Sequence, residues 1–188
     1  MALLIVSSLV ACQGGAGSGA PSAVPSQQAY TAEDLASILV SEANAPEGLP
    51  VESGDSGPAA LVLPIPPGGP VIDDTAFVDA LTTRIGHAMS GGYTSWSALF
   101  ETSSDAQRAF DFITDQHEAD AGWDLEPLTP DAELGEDTVQ YAGPYGPWDT
   151  AGIYFWREGN LLLAAIGVGD FQPDVLRSIA QGMDGRAD

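Results

Sequence analysis

Apolar residues recur along this chain with two different periods, and each period predicts a different kind of element. Residues 161–166, Leu-Leu-Leu-Ala-Ala-Ile, are apolar at every position. That is the pattern of a strand covered on both faces, so it belongs at the centre of its sheet. Residues 152–156 and 160–168 form a β-hairpin across Arg157-Glu158-Gly159, with Gly159 suited to a positive φ in the turn. Residues 93–100 alternate, Trp96, Ala98 and Phe100 pointing one way and Ser95 and Ser97 the other, as in a half-buried strand. A further strand is expected over residues 59–63.

Helical spacing appears four times. Thr31 is an N-cap with Asp34 three residues on, Tyr30 and Leu35 occupy the staple positions, and Leu35, Ile38 and Leu39 recur before Pro46 and Gly48 end the helix. Asp73 and Asp74 precede Phe77, Val78, Leu81 and Ile85, one face of a second helix closed by Gly86. Ser104 caps a third, with Gln107 completing a capping box and Ala106, Ala109, Phe110 and Ile113 as its buried stripe. Pro173 opens the last, whose core face is Val175, Leu176, Ile179, Ala180 and Met183. These elements imply a single α+β domain over residues 30–188: an antiparallel sheet with a C-terminal β-hairpin, packed by about four helices.

Charge changes the functional picture more than the fold. Five Arg and no Lys stand against 27 Asp and Glu, a net charge of −22. Such a surface repels phosphate backbones, which excludes nucleic-acid binding, and it repels anionic head groups as well. Because the acids are scattered along the chain, they read as a solubilising surface and not as a cation site.

The apolar run 3–11 leads into Cys12, the only cysteine. Leu9-Val10-Ala11-Cys12 resembles a bacterial lipobox. The resemblance implies a signal peptide over residues 1–11 and a lipid on the Cys12 thiol that anchors the protein to a membrane on its extracytoplasmic side. Residues 13–29, rich in Gly, Ser, Ala and Pro, would then be a flexible tether reaching on the order of 20–25 Å. A transmembrane helix is not expected, since the run is shorter than the roughly 20 apolar residues that span a bilayer.

Candidate chemistry is sparse. His117 continues the stripe of the third helix, near Asp115, Glu118, Asp120 and Asp124, but Asp115 and His117 face different ways on a helix and do not converge on a metal. His87 follows Gly86 with nothing to mark it as a base. Ser90-Gly91-Gly92 lacks a nucleophile elbow. Asp131, Glu133, Glu136 and Asp137 lack the alternating oxygen ligands of a calcium loop. No catalytic residue, metal or cofactor is therefore assigned. The loop 140–148, with Tyr141, Tyr145 and Trp148 among Pro and Gly, is the candidate binding loop, because these rings combine apolar area with a polar handle.

The strand–helix unit, then Leu134-Gly135-Glu136-Asp137, then the turn Arg157-Glu158-Gly159-Asn160, resembles uncharacterised exported bacterial lipoproteins. It is also similar to the extracytoplasmic sensor domains of some actinobacterial serine/threonine kinases. The likeness runs from about Ala88 to Met183. The kinase domains carry cysteine pairs, which this chain lacks, and no catalytic residues are carried over. The resemblance implies a non-catalytic interaction or ligand-sensing domain at the cell envelope, with an unknown protein or small molecule as partner. The competing readings are a small envelope hydrolase using carboxylates with His87 or His117, and a structural surface protein.

Overall fold

The computed structural model describes residues 29–61, 76–86, 91–119, 125–145 and 148–187, with the backbone alone at residues 61, 116–119 and 145. Seven strands form one antiparallel sheet: β1 (Val51–Ser56), β2 (Phe77–Ile85), β3 (Gly91–Phe100), β4 (Glu126–Leu128), β5 (Asp137–Tyr145), β6 (Trp148–Glu158) and β7 (Leu161–Gly169). Their spatial order is β1-β2-β3-β7-β6-β5-β4, so β7 is central, as its unbroken apolar run requires. Helix α2 (Ser103–Ala119) covers one face, while α1 (Ala32–Ile38) and α3 (Pro173–Ala187) cover the other. A 3-10 turn, Gly57–Leu61, follows β1.

Each face has its own core. Under α2, Trp96, Phe100, Phe155, Leu162 and Ile166 meet Phe110 and Ile113. The Phe110 ring stacks on Phe155 with centroids 5.1 Å apart. Under α1 and α3, Leu35, Ile38, Tyr154, Trp156, Leu161, Leu163, Leu176, Ile179 and Met183 form the second core. Gly152 and Gly167 face each other across β6 and β7 on this side. A Cβ on either would lie within 2.8 Å of the Phe171 ring, so the two glycines let the chain entering α3 lie close on the sheet.

The α+β reading with about four helices does not hold. The described chain is strand-rich, with three α-helices around a seven-stranded sheet. The segment expected as a second helix is β2. Phe77, Leu81 and Ile85 recur every four residues, which mimics a helical face, but the pairing with β3 slips between Phe77 and Asp79. Val78 bulges out of the ladder, and the bulge puts Phe77 on the α2 side with Ala80 while Leu81 and Ile85 face the other side. Leu81 and Ile85 are four apart because the residue between them on that face is polar Thr83, and the bulge carries Phe77 to the opposite face. Residues 59–61 of the expected 59–63 strand lie in the 3-10 turn, and residues 62–63 are outside the described residues. The strand in this region is β1 instead.

Two local expectations also shift. Strand β3 is buried on both faces, not one: Ser95 and Ser97 are as inaccessible as Trp96, because α1 lies over them. Helix α2 starts earlier than expected, with Thr102 as its cap. The Thr102 hydroxyl accepts from the Asp105 backbone N–H at 3.2 Å and donates to the Asp105 carboxylate at 2.6 Å. The Thr31–Asp34 capping box of α1 forms as the sequence implies, but that helix closes at Ile38, well before Pro46.

Candidate functional site

The two motifs that carry the sensor-domain resemblance meet each other. Arg157 leaves the end of β6, is buried, and pairs with Glu136 and with Asp137, the latter at 2.8 Å. The Glu136 N–H donates to the Arg157 carbonyl at 2.8 Å. Gly135 sits at φ 51°, and a Cβ there would fall 2.2 Å from that carbonyl. Asn160 is buried at the start of β7 and bonds to Tyr30 and Phe100. These residues lock the hairpin turn to its surroundings, with the Glu136 and Asp137 carboxylates held on Arg157. Three of the four acids compared with a calcium loop, all but Glu133, are committed to the same kind of contact. Asp131 accepts from the Tyr154 hydroxyl and from Arg177, and Asp137 and Glu136 hold Arg157.

The candidate binding-loop residues separate. Tyr141 lies on β5 and is buried in the α2-side core. Trp148 is half-buried at the start of β6 and pairs through its backbone with Tyr145, whose side chain is outside the description. Cys12, His87 and Ser90 lie outside the described residues. So does the side chain of His117, whose backbone is in α2. Among the described residues no three His, Cys, Asp or Glu side chains gather as metal ligands.

The geometry that can hold a ligand is a groove beside α3. One wall is a stripe of that helix: Val175, Ser178, Ile179, Gly182 and Arg186. The opposite wall is the chain leaving α1, Val40 and residues 44–46. Its volume is about 370 Å³, in the range of small-molecule sites. The far wall is fixed from below. The Val40 N–H donates to the Ser95 hydroxyl at 3.3 Å, and Ser95 lies 2.5 Å from the Thr83 hydroxyl. The Asn44 side chain holds the turn by accepting from the Ser41 N–H at 2.7 Å. Buried Ser95, which alternation alone would turn to solvent, therefore positions one side of the groove.

Arg186 is the residue that sequence reasoning missed. Four of the five arginines have carboxylate partners: Arg84 with Asp55, Arg108 with Asp105, Arg157 with Glu136 and Asp137, and Arg177 with Asp131 and Asp174. Among the described residues Arg186 has none. Its Nε donates to the Ile38 carbonyl at the end of α1, 2.8 Å away, and its Nη2 is buried with no acceptor. Burial pushes its pKa below the ordinary arginine value, though the group stays a cation. A second groove, of about 350 Å³ between α1 and β1–β2, holds no buried side-chain donor or acceptor without a partner among the described residues.

No protein-family model matches the chain, and no curated protein matches it. Among solved structures the chain is similar to the extracellular domain of PknH from Mycobacterium tuberculosis, at 12% identity with a TM-score of 0.57. That match covers 86% of this chain and 98% of the other. It extends the likeness well beyond the segment that the two motifs mark. No helix among the described residues is long and apolar enough to cross a membrane.

Proposed function

We propose that this chain is a non-catalytic extracytoplasmic domain that senses a small ligand in the groove between α3 and the chain leaving α1, and that it is held at a membrane by a lipid on Cys12. The observation that carries the ligand reading is the groove itself, walled by apolar side chains and ending at a guanidinium without a counter-ion among the described residues. The fold shared with the PknH extracellular domain supports the extracytoplasmic part, and the lipobox resemblance at Leu9-Val10-Ala11-Cys12 supports the anchor. The histidine–carboxylate hydrolase has no such support, because the carboxylates at the hairpin turn are spent on Arg157 and Arg177.

Two experiments test the reading. Ser178 is exposed on the groove wall, so Ser178→Trp fills the groove without disturbing the core. A panel of small molecules is screened by thermal shift against the full chain and this variant. A compound that raises the melting temperature of the parent alone, and is recovered unaltered, supports a sensing groove. Equal shifts in both proteins refute it. Membrane fractionation of cells expressing the parent and Cys12→Ala tests the anchor, and equal retention refutes it.

A further inference from the structure

We infer that the groove takes a monocarboxylate with an apolar tail, its carboxylate on Arg186 and its chain running along α3 toward Val175. This rests on the groove being the ligand site, and it goes further by naming the chemistry.

Three observations converge on the carboxylate. In a chain with 27 acidic side chains, Arg186 alone among the five arginines lacks a carboxylate among the described residues. Its Nε is taken by the Ile38 carbonyl, and its buried Nη2 has no acceptor among the described residues. A partly buried cation without a counter-ion among the described residues is costly, and a carboxylate at Nη1, the nitrogen beside Gly182, supplies one. Access to that nitrogen is kept by Gly182. Within 4 Å, a Cβ there would meet only Arg186 Nη1, at 3.3 Å. Glycine inside a helix costs roughly 0.5–1 kcal/mol relative to alanine, and here its position keeps the guanidinium reachable from the groove.

The remaining lining sets the rest of the ligand. Val40, Ala45, Pro46, Val175 and Ile179 offer apolar wall. Asp174 stands at the far end, 12 residues from Arg186 and hence about 18 Å along the helix. Its carboxylate repels a second negative group at that end, and the net charge of −22 penalises every further negative charge on a ligand. Both effects favour one carboxylate and an uncharged tail over a dianion.

The test uses the full chain with Cys12→Ser and three probes in isothermal titration calorimetry: decanoate, decanol and decanedioate. Decanoate is expected to bind one per chain, at least ten-fold tighter than decanol or decanedioate. Arg186→Gln should abolish the preference for decanoate over decanol. Because that change also removes the bond to Ile38, a second variant, Ser178→Glu, sets a carboxylate in the groove from an exposed position. It should weaken decanoate at least ten-fold more than it weakens decanol. Equal binding of decanoate and decanol, with Ser178→Trp blocking both, overturns the carboxylate assignment while the groove stands. Decanoate binding untouched by Ser178→Glu and Ser178→Trp overturns both readings, as does the absence of binding by any probe.

Discussion

Asn160 grips the backbone of Tyr30 with both ends of its amide. Oδ1 accepts from the Tyr30 N–H at 2.8 Å, and Nδ2 donates to the Tyr30 carbonyl at 3.3 Å and to the Phe100 carbonyl at 2.9 Å. The first turn of the hairpin is thereby tied to the start of the described chain, 130 residues away. Asn160→Ala leaves buried donors and acceptors unmatched and should cost about 2–4 kcal/mol. Urea denaturation measures it, and a loss below about 0.5 kcal/mol would show that the grip is incidental.

The same change at two glycines should have opposite signs. Gly135 sits at φ 51° with the Arg157 carbonyl 2.2 Å from any added Cβ, so Gly135→Ala should cost at least about 2 kcal/mol. Gly185 in α3 has open space where its Cβ would be, so Gly185→Ala should gain roughly 0.5–1 kcal/mol. Thermal melts of the two variants beside the parent check both signs.

Asp131 should titrate low. The hydrogen bond from Arg177, then that from the Tyr154 hydroxyl, holds its carboxyl below the usual carboxylate value. The stability it contributes is present above the unfolded value of about 3.9 and is lost as pH falls through the lower native value. Carboxyl NMR titration should find Asp131 below an ordinary aspartate in the parent and higher in Arg177→Gln. Tyr154 shifts the other way, upward, by burial and then by its bond to Asp131. Its contribution is lost as pH rises above about 10, and Tyr154→Phe should remove that alkaline loss.

Salt should stabilise the domain by screening, not by binding. With a net charge of −22, added sodium chloride should raise the melting temperature as the screening length falls to about 8–10 Å. Micromolar calcium is too dilute to screen and should leave it unchanged. A melting temperature indifferent to sodium chloride, or raised by micromolar calcium, contradicts this.

Much of the sheet is legible in the sequence because burial on both faces leaves an unmistakable run at residues 161–166. Segment β2 is not, since polar Thr83 between Leu81 and Ile85 leaves apolar residues four apart, and the bulge at Val78 hides that Phe77 faces the other side. Ser95 and Ser97 mislead for a related reason. Alternation assumes that polar means outward, whereas Ser95 is buried paired with the Thr83 hydroxyl, and Ser97 is buried under α1 with no partner for its hydroxyl among the described residues. Tyr141 looked like a contact residue because aromatic area and a hydroxyl suit both a core and an interface. The Arg186 end of the groove had no sequence signal of its own. Its standing depends on where four other arginines find their carboxylates, and that is a property of the fold.

The Tyr30 hydroxyl donates to the carbonyl of Ala187, so the first described residues and the last turn of α3 lie side by side, and Tyr30 is joined to the turn of the central hairpin. Tension drawn along the segment preceding Tyr30 thus enters the protein at its middle strand. It does not reach an edge strand first, where pairs could be peeled away one at a time. A domain loaded there must shear several buried contacts together, which makes Tyr30 one of the mechanically strongest points at which to pull on the described chain.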